Sequence, residues 1–490
     1  MKRRKILLFS AAAFLLSGLL TGCGQTKDDN KLRIIVKSAG FGEQWIRDLE
    51  TKFEADHPDI DVDITAQYDV SQLISSHLES RNNKDDLYIN IGTDWKSYAA
   101  QGYFADLTSF LYDTVDGVKV KEKVADEYEG SLYFTKSNGD QVCYRLPWTS
   151  GIGGIYYNKK MFTKHGWDTW LKTTYEGNTT GVPETFEQLE ALCKKIVNDK
   201  IPVSETDRRT AVKPFAYTGA NTDYFDYTVF DWWGQIAGVD AIKDFLKYES
   251  YDNFDVTKNA TYAALKTATN YWTKLFVEYG EDGLYKGESS YVIEDSKSKA
   301  AAAAQKEFAN GYAAMMFNGD WLYNEILDYN LTGDNFALGL MKTPKIAEAN
   351  DNYVNTSYVI GEDQFIVIPK SSKKKDMAKE FIKLIISNEG CTTFTKKANG
   401  FLAYDTDFTN ADITDEFILE TINLRNSYVN KFTNYSSNRK YLCNFLDVWC
   451  TGAQRPFLSL LNGSVTLDKA FTSIHTTAKA NWADWTARSK

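Results

Sequence analysis

The chain offers little to a metal or a nucleophilic mechanism. Its four histidines, His57, His77, His165 and His475, are scattered without ligand spacing and read as surface residues. No acidic run has the spaced acids, glycine and closing Glu of an EF-hand. No cofactor or catalytic metal is expected, and a structural calcium held by some of the many Asp residues is left open. G-x-S-x-G, H-E-x-x-H and G-x(4)-G-K-[ST] are absent, which removes the signatures of the nucleophile elbow, the zinc peptidases and the P-loop. Gly151-Ile152-Gly153 comes nearest to a dinucleotide-binding G-x-G-x-x-G but has Tyr156 where the last glycine belongs. These absences argue against an enzyme. A glycosidase needs only two carboxylates about 5 to 9.5 Å apart, which a sequence does not measure, so it stays as an alternative.

Basic charge is also short, with 56 Lys and Arg against 66 Asp and Glu, a net −10. Nucleic acid, which demands basic patches, is excluded as a partner. Long apolar runs are missing except at the start. Lys2-Arg3-Arg4-Lys5 precedes an apolar stretch over 7–20 broken only by Ser10, Ser17 and Gly18. It is shorter than the roughly 20 residues that span a bilayer and reads as a secretory signal over 1–22. Leu20-Thr21-Gly22-Cys23 resembles a bacterial lipobox, so cleavage would leave Cys23 as a lipid-carrying N-terminus. The chain is then expected to be anchored to the membrane without spanning it, on its extracytoplasmic face. Residues 23–31 read as a polar tether. Loss of the four basic residues of the signal moves the net charge from −10 to −14.

Six cysteines less Cys23 leave an odd number, which is no complete disulfide framework. In a helix, Cys443 and Cys450 would lie roughly 10 Å apart along the axis, too far for a bridge. The thiols read mostly as packing, with Cys143 or Cys193 joined to Cys391 left open.

What is abundant is aromatic: 12 Trp, 30 Tyr and 28 Phe. Most of these belong in cores, and some are expected to line a cleft. The apolar run 32–36 reads as a strand, Trp45, Leu49 and Phe53 as one helix face, and Ile60, Val62 and Ile64 as a half-buried strand. A helix over 72–80 and a strand over 87–91 complete a β-α-β-α-β beginning, which favours a parallel sheet. Ligands of such sheets bind beyond the carboxyl ends of the strands, which singles out the loops 38–42 and 92–97 with Phe41, Asp94 and Trp95. The Gly- and Ser-rich segment 145–158 reads as a crossing between lobes. Pro183-Glu184-Thr185 opens a helix with the apolar stripe Phe186, Leu189, Leu192, Cys193 and Ile196. Residues 221–287 read as mostly helical and carry Tyr224, Tyr227, Trp232, Trp233 and Trp272. A helix over 296–309 leads into a strand at 313–317 and then Asn318-Gly319-Asp320-Trp321.

Four segments in order carry a family resemblance. They are F-x(4)-P-x-I-x-V from Phe53 to Val62, then Gly102-Tyr103-Phe104-Ala105-Asp106-Leu107. Next comes Tyr156-Tyr157-Asn158-Lys159-Lys160-Met161-Phe162 with its downstream Pro183-Glu184-Thr185-Phe186. Last is Phe308-Ala309-Asn310-Gly311-Tyr312-Ala313-Ala314-Met315 running into Asn318-Gly319-Asp320-Trp321. In this order the chain resembles the family 1 extracellular solute-binding proteins, the sugar-binding subunits of ABC importers related to maltose-binding proteins. The resemblance extends through 366–381 to about residue 400.

It implies an α/β, two-lobed type 2 periplasmic-binding-protein fold with hinge strands and an interlobe cleft that closes on its ligand. Lobe 1 would hold 32–148 and 343–366, lobe 2 149–342 and 367–490, with crossings near Trp148, Met341 and Ile366. It implies an oligosaccharide ligand, ABC permease subunits as partners, and a monomer. A peptide or polyamine ligand is the alternative.

A sugar needs flat aromatic faces and a few polar groups at its edge. Trp321 is the leading platform, the alternative being an aromatic that anchors the strand-to-helix turn. Asp320 either bonds a hydroxyl or caps a helix. Trp148 at the first crossing is expected in the cleft. Asp94 and Trp95 either touch ligand or cap and pack. One of Trp232 and Trp233 would face the core and the other could reach the cleft. Phe41 and Tyr358 complete the candidates.

Overall fold

The computed structural model describes residues 30–92, 95–136, 138–329, 335–409, 411–434 and 456–488. The signal segment, Cys23, Asp94, Cys443 and Cys450 lie outside the described residues. No helix among the described residues is long and apolar enough to cross a membrane.

Two sheets organise the chain. In the first, Lys31–Lys37 pairs in parallel with Asp61–Gln67 and Leu87–Ile91. The alternation of Val62 and Ile64 with exposed neighbours makes Asp61–Gln67 an edge strand with one buried face. The helix Gln44–Asp56 covers the sheet with Trp45, Ile46, Leu49 and Phe53. Gln364–Val367 and Leu146–Pro147 complete the sheet and run antiparallel to their neighbours, so the parallel expectation holds only for its first three strands.

The second sheet runs in the order Lys213–Ala216, Ala313–Gly319, Gly151–Asn158, Thr356–Ile360, Asn430–Phe432. Leu338–Met341 also pairs with Gly151–Asn158. Ala313–Gly319 is buried throughout, as a strand covered on both faces must be. The helix Phe186–Asp199 starts where read: the Thr185 side chain accepts the Gln188 N–H at 3.3 Å, and the five stripe residues are buried.

The crossings between sheets differ in part from expectation. Residues 148–150 link Leu146–Pro147 to Gly151–Asn158, and residues 361–363 return from Thr356–Ile360 to Gln364–Val367. These two links touch, and a Cβ on Gly361 would fall 2.2 Å from the Thr149 carbonyl. The Tyr128 hydroxyl ties them together, donating to the Thr149 carbonyl at 2.9 Å. Met341 does not cross; it pairs with Ile155 inside the second sheet. The division at residue 367 also shifts. Lys375–Ile386 and Asn388–Ala398 pack on the first sheet, because Phe381 meets Phe53 at 5.0 Å and Phe394 meets Trp45 at 5.0 Å between ring centroids. Thr356–Ile360, expected in the first lobe with 343–366, lies instead in the second sheet beside Gly151–Asn158. After Tyr404 the chain passes back, and Glu416–Ser427 packs against second-sheet residues such as Tyr156 and Ile152 through Phe417 and Ile418.

Cys143, Cys193 and Cys391 are buried and free, so neither pairing left open is formed. His475 is not a plain surface residue: its Nε2 faces Asp252 and Asp255 at 4.0 and 3.9 Å, where Leu467–Arg488 meets the turn Tyr251–Phe254.

Candidate ligand cleft

The strand Ala313–Gly319 ends in Gly319-Asp320-Trp321, and the glycine has a steric reason. A Cβ there would stand 2.3 Å from the Trp321 ring, so only glycine lets the indole fold back over its own strand. Trp321 then opens the short helix Leu322–Ile326. It is half-buried and packs against apolar residues of both sheets' cores. On the first-sheet side it lies against Gly40, whose Cβ would come within 2.9 Å of the Trp321 Cβ. Gly40 also has φ +78°, a second demand for glycine.

On the second-sheet side two tyrosines wall the indole edge-to-face, the geometry that aromatic quadrupoles favour. Tyr227 lies 5.3 Å away at 79° and Tyr224 6.3 Å away at 85°, and the two are 5.0 Å apart. The indole N–H donates to the Tyr224 hydroxyl at 3.4 Å. The helix that carries Tyr227 approaches closely because residue 153 is glycine: a Cβ there would meet the Tyr227 Cβ at 2.7 Å. The Tyr227 hydroxyl donates to Asp223 at 3.0 Å. Burial raises both tyrosines well above the phenol range, so they stay neutral donors.

Polar groups rim this aromatic wall. Asp223 and Asp363 keep contact with solvent although surrounding protein desolvates them. Burial raises the Asp223 carboxyl and pushes that of Asp363 up to about 6, with Glu362 and Asp223 adding repulsion and Lys37 opposing. Glu325 is half-buried, accepts a hydrogen bond from Gln305, and is raised by burial. Tyr68 follows the strand Asp61–Gln67 and is 74% exposed; Glu325 and Tyr329 are its electrostatic neighbours.

Asp320 is fully buried and does not cap the helix after it. Its carboxylate oxygens make no well-formed hydrogen bond among the described residues, and Oδ1 lies 3.1 Å from where a Gly151 Cβ would stand. Burial pushes its carboxyl up to about 7, against the pull of the Ile152 N–H and the Arg425 guanidinium.

The other candidates go elsewhere. Trp148 is fully buried and packs with Phe41, Trp45 and Phe394 at 5.6 to 6.2 Å. Phe41 is 3% exposed in the same cluster. Both are first-core packing, because the crossing that carries Trp148 turns its indole toward the helix Gln44–Asp56 and away from the cleft. Trp232 and Trp233 are both fully buried in the second core, so neither reaches the cleft. Their N–H groups are satisfied internally, by the carbonyls of Pro344 at 3.0 Å and Thr261 at 2.8 Å. Tyr358 is buried between Phe230 and Phe432. Trp95 is nearly buried and carries the Arg145 guanidinium 4.4 Å over its ring. Arg145 in turn donates to the Glu362 carbonyl at 2.6 Å, so Trp95 positions the hinge turn 361–363.

Tyr224, Tyr227, Asp223 and Asp363 were not singled out as site residues from the sequence. The signal for the first three was present as Asp223, Tyr224 and Tyr227 at i, i+1 and i+4, which places the acid and the second tyrosine on one helical face. A second cavity, lined by Asp126, Glu127, Asp240, Lys243, Asp244 and Lys431 among others, has Tyr353 as its one aromatic among the described residues. It lacks the wall that a sugar face needs.

Two α/β halves, each on its own mixed sheet, with touching hinge links and an aromatic cleft between them, define the periplasmic-binding-protein fold. The chain belongs to the bacterial extracellular solute-binding protein family, whose model matches residues 49–417. It is thus a solute-binding protein and not an enzyme. A multiple sugar-binding protein of Streptococcus mutans serotype c is 27% identical over 190 residues, 37% of this chain and 39% of that protein; the match therefore spans well under half of that relative. Among solved structures, a chitin oligosaccharide binding protein superposes with TM-score 0.63 at 18% identity, covering 93% of this chain and 99% of that one. The GacH receptor of Streptomyces glaucescens, solved unliganded and with acarbose, gives 0.63 at 15% identity over 93% and 99%. A solute-binding protein solved with raffinose gives 0.56 at 15% over 91% and 99%.

Proposed function

We propose that this protein captures an oligosaccharide in the cleft between its two sheets and delivers it to the permease subunits of an ABC importer. A lipid on Cys23 would hold it at the extracytoplasmic face of the membrane. The observation that carries the ligand reading is Trp321: a half-buried indole at a strand end, braced by Tyr224 and Tyr227 on one side and lying against Gly40 on the other. A flat apolar face offers its area to the C–H face of a sugar ring, and Asp223, Asp363 and the phenols around it are suited to hydroxyls at the ring edge. The sugar-binding description of the Streptococcus mutans relative supports the same reading. So do the glycan ligands of the structural neighbours.

The division of labour follows from the packing. One half comprises the first sheet with 375–398, the other the second sheet with the helices around 226–276 and 416–427. The links at 148–150 and 361–363 are the hinge. Asn324 of the second half donates to the carbonyls of Gly40 and Ala398 at 3.4 and 2.6 Å, which are contacts that closure would make and opening would break. Asp320, buried beside the hinge strand without a well-formed hydrogen bond, would gain one from a ligand hydroxyl or from water as the halves part.

Calorimetric titration of the chain lacking residues 1–23 with length-matched oligosaccharides, a polyamine and a short peptide tests the ligand class. Heat with a glycan series alone supports the proposal; heat with the peptide or polyamine alone refutes it. Replacement of Cys23 by Ser, followed by membrane fractionation of expressing cells, tests the anchor. A variant that stays with the membrane would refute it.

A further inference from the structure

We infer that the cleft discriminates by charge: it takes oligosaccharides that are uncharged or amine-bearing and turns away those carrying carboxylates. This rests on the carbohydrate reading of the same cleft and narrows it to a substrate class.

The argument starts from which charges reach the open side of the aromatic wall. Asp223 stands one residue before Tyr224 and accepts the Tyr227 hydroxyl at 3.0 Å, so it is fixed at the edge of the platform. Asp363 sits on the hinge turn at the cleft base, beside Glu362. Glu325 follows Trp321 by one helical turn, with an oxygen 3.8 Å from where a Gly40 Cβ would stand. Three cations are among the groups described above. Arg425 is held at the hinge link by the Ser150 hydroxyl at 2.9 Å and by Glu127 at 3.9 Å, so its charge is engaged within the protein. Arg145 is 1% exposed, stacked on Trp95 and bonded to Glu362, so its charge is already held by the protein. Lys37 ends the strand Lys31–Lys37 and has both Asp363 and Asp69 as electrostatic neighbours. The excess at the rim is negative.

A site built to bind carboxylates shows the opposite: a guanidinium fork or an ammonium presented to the ligand. Here the guanidinium is turned inward and the acids outward. Neutral hydroxyls lose nothing in this field and gain charge-assisted acceptors, and a protonated amine gains more. A carboxylate brought beside Asp223 or Asp363 meets like charge in a partly desolvated cleft, where Coulomb repulsion is far stronger than in bulk water.

The test compares one backbone with and without the charge. A panel of neutral trisaccharides of glucose, mannose and xylose is titrated calorimetrically, together with chitosan trisaccharide. The best-binding hexose trisaccharide is then compared with its own C6-oxidised form, in which the primary alcohol has become a carboxylate. The inference expects the oxidised form to bind about tenfold or more weakly at low salt. It expects that ratio to shrink as added salt shortens the screening length from roughly 30 Å at 0.01 M toward 3 Å at 1 M. It also expects the ratio to shrink in D223N/D363N. Equal affinity for the two forms overturns the inference and leaves the carbohydrate reading standing. A rejection unmoved by salt is steric and overturns it as well, even if the double variant does not fold. Silence from every sugar overturns both readings.

Discussion

Replacing Trp321 with alanine separates a ligand platform from a packing residue, because the two roles predict different sizes for two measurements. A fully buried tryptophan truncated to alanine costs about 3 to 5 kcal/mol of stability. Trp321 is only half-buried, and beyond its packing on Gly40 and the two cores its specific contacts are two edge-to-face rings at 5.3 and 6.3 Å and one long hydrogen bond at 3.4 Å. Each aromatic pair is worth about 0.5 to 1.5 kcal/mol beyond area. The expected stability loss is therefore about 1 to 2 kcal/mol. If the indole is the floor of a sugar subsite, its removal costs at least about 2 kcal/mol of binding, roughly thirtyfold in Kd. Urea unfolding and calorimetry on the same preparation read both values. A stability loss of about 4 kcal/mol with Kd unchanged on the folded fraction would refute the reasoning and return Trp321 to the core.

Gly319→Ala should weaken binding nearly as much as Trp321→Ala, because the added methyl occupies the space of the indole; calorimetry showing wild-type affinity would contradict this. Trp148→Ala should behave oppositely, losing about 3 to 5 kcal/mol in urea unfolding while folded molecules keep their affinity, since Trp148 is fully buried among Phe41, Trp45 and Phe394. Asp320 makes stability depend on pH in a definite direction. Its carboxyl is pushed up to about 7 in the folded protein against an ordinary 3.8, so the folded state holds a proton that the unfolded chain has released. Its contribution is fully present below about pH 4 and lost as pH rises through 7, on the order of a few kcal/mol. Asp231, fully buried and pushed up to about 7, acts in the same sense. Urea midpoints should fall from pH 5 to pH 8 and fall less in Asp320→Asn; an identical slope in the variant would contradict the assignment.

The local elements were legible because their signals are local. Trp45, Leu49 and Phe53 at a spacing of four, the alternation of Val62 and Ile64, and the Thr185 cap each report a period or a turn that needs no tertiary information, and each stands where it was read. The position of Trp321 at the turn after a strand was legible for a related reason, since Gly319-Asp320-Trp321 is one steric unit. Trp148, Phe41, Trp232, Trp233 and Tyr358 are buried in the cores because direction is not local information. Trp148 and Phe41 lie in a link and a turn outside any strand or helix, where no local period says whether a side chain points to core or cleft. Trp232 and Trp233 both found internal carbonyls for their N–H groups, a satisfaction that depends on Pro344 and Thr261, distant in sequence. Lys375–Ile386 belongs with the first sheet because its stripe meets Phe53, more than 300 residues earlier. Asp363 was invisible for the same cause: its place at the cleft base is set by the hinge turn and by Arg145 on Trp95, which no short window contains.

The most direct test of the account is thermal unfolding of the chain without residues 1–23 in the presence of neutral oligosaccharides, polyamines and short peptides, followed by calorimetry on whatever shifts it. A ligand that binds only the folded state raises the transition by mass action, by about 2.7 kcal/mol at a hundredfold excess over Kd. The account predicts that rise with a neutral oligosaccharide, lost in Trp321→Ala. A rise with peptide or polyamine alone, or one that survives Trp321→Ala unchanged, would contradict it.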